Sequence, residues 1–169
     1  TDVRAHRSLG YWTGHGLSER LLSKNDIESV VPSTLADRVY TLEKQPETDL
    51  GFEAATWILL NTPDGPEVEK AGEAILEHHL QRTNLLTIAS RLETLRHRCA
   101  KPILKGILAS NPEAEIRGTA CFSLAITFKD EADYGANKKA TSEAKVYFRR
   151  FIHDFSTAGK QAPDKASKA

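Results

Sequence analysis

Apolar residues recur at helical spacing along most of this chain. After Pro32-Ser33, Leu35, Val39 and Leu42 stand three or four residues apart, which predicts a helix that Pro46 ends. A second helix carries Phe52, Ala55, Ile58 and Leu59, and Asn61-Thr-Pro-Asp-Gly-Pro66 breaks it. A third is expected from about Glu67 to Leu80, with Glu67, Glu69 and Glu73 near its amino end, where the helix dipole favours negative charge. Leu85, Ile88, Leu92, Leu95 and Cys99 form one stripe at 3, 4, 3, 4 spacing and predict a helix over 83–99. Pro102 suits the first turn of a short helix holding Ile103, Leu104, Ile107 and Leu108. Asn111-Pro112 turns the chain into a helix over 113–128, and Lys129 to Lys139 read as a polar loop or frayed turn. In the last helix Ala144, Phe148, Phe151, Ile152 and Phe155 are expected inward, with Lys145, Arg149 and Asp154 outward.

No alternating run reaches strand length with turn signals at both ends. The predicted class is all-α, with stacked antiparallel helix pairs in a right-handed array of about eight helices. Ser18 or Asn25 is a candidate cap for short early helices. Residues 1–17, with Gly10, Gly14 and Gly16 around Tyr11, Trp12 and His15, fit neither period and predict an irregular arm pinned by its aromatics. Residues 18–156 are expected as a single helical domain, and 157–169 as a disordered tail.

Two helix pairs share a pattern, near 50–80 and 101–128. Ile116, Ala120, Ser123 and Leu124 have counterparts in Val68, Gly72, Ile75 and Leu76 at an offset of 48. Upstream, Ala54, Ala55, Ile58 and Leu59 correspond to Ile103, Leu104, Ile107 and Leu108 at an offset of 49. Small residues at Ala120 and Ser123 allow two helix backbones to approach closely. The alternative is a pair of ordinary amphipathic helices that share a period.

The balance of 23 basic and 23 acidic residues gives no electrostatic reason to expect nucleic acid or an anionic membrane as partner. Runs such as Trp57-Ile-Leu-Leu60 fall far short of the ~20 apolar residues that cross a bilayer, and the start, with Arg4, His6 and Arg7, holds no signal-peptide core. No membrane insertion is expected. Cys99 and Cys121 have no CxxC context, so zinc and dithiol chemistry lack support. Two buried free thiols are expected, with a disulfide between them as the alternative.

Pro112, Ile116-Arg117, Ala120 and Leu124 resemble the inner helix of a HEAT repeat. Ser123 replaces an alanine of that pattern, and the first copy has Glu69 where the arginine belongs. A wider likeness spans about residues 50–165. Phe52 to Pro63, His78-His79-Leu80 and Glu115 to Ala125 resemble an uncharacterised helical region of bacterial envelope proteins, notably planctomycete ones, that precedes a thioredoxin-like domain. Gly159-Lys-Gln-Ala-Pro163 is similar to the opening of that redox domain. The resemblance implies an exported or envelope location and an adjacent thioredoxin-like domain as partner; it brings over no catalytic residue.

Candidate chemistry is sparse. No two of His15, His78, His79, His97 and His153 stand three or four residues apart on one helix, and Glu77-His78-His79 lacks the HExxH order, so no metal site is predicted. Arg91, Arg96, Arg98, Lys101 and Lys105, opposed by Glu93 alone, give 91–105 a local charge of +4. That cluster reads either as complement to a helix carboxyl end or as a surface for an acidic protein partner. Arg117 is expected to bond loop carbonyls or neighbouring acids. Gly10 to Gly16 lacks phosphate-loop order. Cys121 sits mid-helix among apolar residues, where a thiol is inert.

The functional expectation is a non-enzymatic helical repeat module for protein-protein or interdomain contacts, without cofactor. Its candidate partner-binding residues are Trp12, Trp57, His78, His79, Arg91, Arg96, Arg98, Lys101 and Arg117. The alternative is a small-molecule or metal-binding domain, or an enzyme, with an interhelical pocket near Trp57, His78 and His79.

Overall fold

Side-chain caps and prolines set where the helices begin. In the computed structural model, which describes residues 34–135 and 137–155, Thr34 opens α1 (Leu35–Lys44) with a reciprocal capping box to Asp37. Thr48 Oγ1 accepts from the amide of Gly51 and starts α2 (Asp49–Asn61). Pro66, whose missing N–H costs nothing at a helix start, leads α3 (Pro66–Ala74), which widens into one π turn over Ile75–His79. Then come α4 (Leu86–Leu95), α5 (Ala100–Ser110) and α6 (Ala114–Gly135). Asn137 caps α7 (Lys138–Arg150), which also ends in a π turn, Phe151–Phe155. Trp12, the arm of 1–17, the early helices and the tail of 157–169 lie outside the described residues.

The described residues are all-α and belong to one compact unit. Neighbours in sequence pack pairwise: α1 on α2, α2 on α3, α5 on α6, and α6 on α7 most extensively. Helix α4 bridges the predicted pairs by packing on both α2 and α6. The repeat-like positions face inward in each pair. Ala54, Ala55, Ile58, Leu59, Val68 and Ile75 are fully buried, and so are Ile103, Leu104, Ile107, Ala120 and Leu124. Gly72 lets α3 approach the α4–α5 corner closely: a Cβ there would lie 2.7 Å from the Cβ of Cys99.

Two predicted boundaries are wrong. The stripe through Cys99 implies one helix over 83–99, yet α4 stops at Leu95, because Arg96 turns left-handed at φ 54° and α5 starts anew at Ala100. No glycine or proline marks that break. Lys129 to Gly135, read as loop, continues α6, where a Lys129–Asp133 ion pair of 2.6 Å spans one helical turn and Ala132 packs on the core.

Candidate interaction surface

Two buried histidines lock loops to helices. His79, 1% exposed, lies beside the turn between α1 and α2. Its Nδ1 accepts from Arg82 Nε at 3.1 Å; since a guanidinium only donates, the ring must carry its proton on Nε2, which donates to the Pro46 carbonyl at 2.6 Å. Arg82 also pairs with Asp49 at 2.5 Å and lies 4.6 Å over the Phe52 ring. Burial, with nearby Arg82 adding to it, holds the His79 pKa below the usual 6.5 and keeps the ring neutral.

His97, 6% exposed, serves the turn after α2. The Leu59 carbonyl would ordinarily accept from the residue four positions on, but that is Pro63, which has no N–H. The Nε2–H of His97 donates there instead, at 2.9 Å. Its Nδ1 is buried, without a hydrogen bond among the described residues, 3.7 Å from Asp64 Oδ1. Neither role was legible in the sequence, although Pro63 does announce an orphaned carbonyl four residues earlier.

His78 sits at the surface, 3.8 Å from Glu77, with its ring edge-on to His79. Trp57 is half-buried beneath the Arg38 guanidinium, 4.6 Å from the ring centre. Neither cleft described below is lined by Trp57, His78 or His79. Among the described residues no three His, Cys, Asp or Glu side chains are grouped to hold a metal ion. Both cysteines are free, and burial pushes each thiol up to about 11. Cys99 is only half-buried, its sulfur 3.8 Å from the Val68 carbonyl.

The basic stretch 91–105 is largely neutralised by acids from other elements. Arg98 binds Asp64 at 3.0 Å and Glu69 at 3.1 Å, and its hydrogen bond holds the Asp64 carboxyl below its ordinary range. Arg96 lies 3.8 Å from Asp130 and over the Tyr134 ring, and Lys101 pairs with Glu131. Lys105 approaches the face of Phe128. Arg91 is exposed and has no ion pair among the described residues. Arg96, Lys101, Asp130, Glu131 and Tyr134 border a cleft of about 220 Å³ between α4, α5 and α6, whose walls include Glu93 with one buried oxygen that has no hydrogen-bond partner among the described residues.

Arg117 donates to the carbonyls of Asn111 and Pro112, both at 2.7 Å. Asn111 itself is buried and uses its whole amide: Nδ2 donates to the Leu80 and Arg82 carbonyls, and Oδ1 accepts from the amide of Glu113. That residue ties the turn after α3 to the α5–α6 corner, a task for which Asn111-Pro112 showed only the turn.

A different surface lies along one flank of α6 and α7. Phe122 is 39% exposed and meets Phe148 and Phe151 with ring centres 6.1 and 5.3 Å apart. Ile152, expected inward, is 57% exposed; Phe148, Phe151 and Phe155 are half-buried, and only Ala140 and Ala144 of α7 are fully inside. The physical reason is that, among the described long helices, α7 packs chiefly on α6, so one neighbour covers only part of a wide apolar stripe. At the end of this flank a groove of about 350 Å³ runs between Glu115, Gly118, Thr119, Phe151 and Phe155. Gly118 makes room for Phe155, whose ring a Cβ would meet at 3.2 Å.

No described helix is long and apolar enough to cross a membrane. Comparison with protein-family models, curated proteins and solved structures found no match for this chain.

Proposed function

We propose that this chain is a non-enzymatic helical module whose α6–α7 flank makes protein-protein or interdomain contacts. The observation that carries the reading is exposed Phe122 in ring contact with half-buried Phe148 and Phe151, with exposed Ile152 four residues after Phe148. Apolar side chains gathered in this way, rimmed by charge, are what a partner surface covers. The array is proposed to be HEAT-like, with the pairs α2–α3 and α5–α6 as its repeats. Their matched buried positions support that. An adjacent thioredoxin-like domain is the interdomain form of the proposal, and an exported or envelope location accompanies it; both rest on the resemblance of residues 50–165.

The test is a photo-crosslinking amino acid placed at Phe122, with the same group at exposed Ser90 on α4 as control. A partner joined at 122 and not at 90, and binding again when purified, is the expected result. Equal capture at both positions, or none at either, sinks the proposal.

A further inference from the structure

The α6–α7 flank differs from the basic stretch 91–105 in one respect: among the described residues, three cations of the outer α7 row have no acid paired with them, although Arg150 of the same helix is held by Asp154 at 3.4 Å. Lys138, Thr141, Lys145, Arg149 and Ile152 follow one another at intervals of three or four residues, so they form a single row along α7 beside Phe148. All five are exposed, and among the described residues Lys138, Lys145 and Arg149 take part in no ion pair. On the α6 side, Lys129 is already held by Asp133, and Glu115 stands alone at the far end by the groove. The flank therefore presents aromatic side chains along a valley between two antiparallel helices, with a positively charged wall on the α7 side.

We infer that the occupant of this flank is an acidic amphipathic helix of a partner protein, with apolar anchors entering between Phe122, Phe148 and Ile152 and carboxylates facing Lys145 and Arg149. The inference rests on the α6–α7 flank being a contact surface. A valley between two helices accepts a third helix by the same packing that joins α6 to α7, and anchors three or four residues apart match its row of apolar contacts. Charge selects among the possible occupants. Residues 1–33 carry four acids and four bases, and residues 156–169 carry three lysines and one aspartate, so neither segment offers the acidic complement. A second copy of the chain docked symmetrically through this flank would set the α7 lysines and arginines against themselves, which like charges oppose.

The full chain is titrated into a fluorescent acidic amphipathic peptide, with leucines at helical spacing and glutamates elsewhere, and anisotropy is read. The expected result is saturable binding that weakens about tenfold in Phe122→Ala, as for truncation of an interface anchor. It should weaken at least about fivefold in Arg149→Glu and fall as salt is raised. Both residues are exposed, and circular dichroism of each variant checks that it folds. Equal binding of the same peptide with lysines for glutamates overturns the acidic assignment, as does indifference to Arg149→Glu. Binding to phosphatidylglycerol vesicles in place of the peptide overturns it in favour of a lipid surface. Should crosslinking at 122 capture a protein while the acidic peptide fails to bind, the contact surface stands and its acidic helical partner is rejected.

Discussion

The corner between α4 and α5 and the outer row of α7 are both rich in cations, and they have opposite uses. At the corner, Arg96, Arg98 and Lys101 reach Asp130, Asp64, Glu69 and Glu131, acids that lie about thirty residues away in sequence. Along α7, Lys138, Lys145 and Arg149 find none among the described residues. A local charge of +4 thus marks a joint, whereas the cations left for a partner are spread through a helix that carries apolar and acidic residues as well. Charge density along the chain is a poor guide to surface potential, because packing decides which acids come near.

Substitutions at the joint should separate the two regions most sharply. Gly72→Val inserts bulk where α3 meets Cys99 and should cost about 3 kcal/mol in urea denaturation, the upper end of overpacking penalties. His97→Leu keeps the volume but strands the Leu59 carbonyl, for a loss of about 2 kcal/mol. If either variant unfolds at the parent's urea midpoint, the corner is not the structural joint described.

The other buried histidine extends the comparison to pH. Because the folded state holds the His79 pKa below the unfolded value of 6.5, the unfolded chain takes up the proton first. Stability should be complete above that value and decline as pH falls from it toward the folded pKa. His79→Gln, which retains an N–H donor for Pro46 and cannot titrate, should flatten the decline between pH ~7 and ~5. An unchanged slope in thermal melts across that window would assign the sensitivity elsewhere. Asp64, lowered in the folded state by Arg98, acts in a separate range: its contribution is present above the unfolded pKa of 3.8 and disappears as pH drops through the folded one.

The smallest effects make the most direct comparison. Arg98→Glu places a carboxylate against Asp64 and Glu69 and should lower the melting temperature. Arg149→Glu, on an exposed position without an ion pair among the described residues, should leave stability within about 0.5 kcal/mol. Equal losses in the two would erase the distinction between joint and surface.

Helical periodicity located every described helix, and turn residues located several of their ends. Pro46, Asn61 to Pro66 and Asn111-Pro112 stop or turn the chain through local sterics, so α1, α2, α3 and α6 begin or end near them. The end of α4 had no such local cause. Arg96 adopts a left-handed conformation where the corner is held by His97 on Leu59 and Arg98 on Asp64, contacts that reach back more than thirty residues. The flank residues escaped for the same reason: Phe122 lies next to buried Cys121 in a helix packed on several sides, and its exposure depends on which of the described helices reach that side of α6.

The amino-acid sequence by itself determined the helical class, the inward positions of both helix pairs and the principal breaks, since each follows from interactions within a few residues or from burial of a periodic apolar face. Tertiary structure alone decided which histidine bonds to which carbonyl, which cations are neutralised and which aromatics remain uncovered. Those depend on long-range juxtaposition, and a carboxylate or a carbonyl brought within about 3 Å by folding changes the role of a side chain that its own neighbours in sequence leave open.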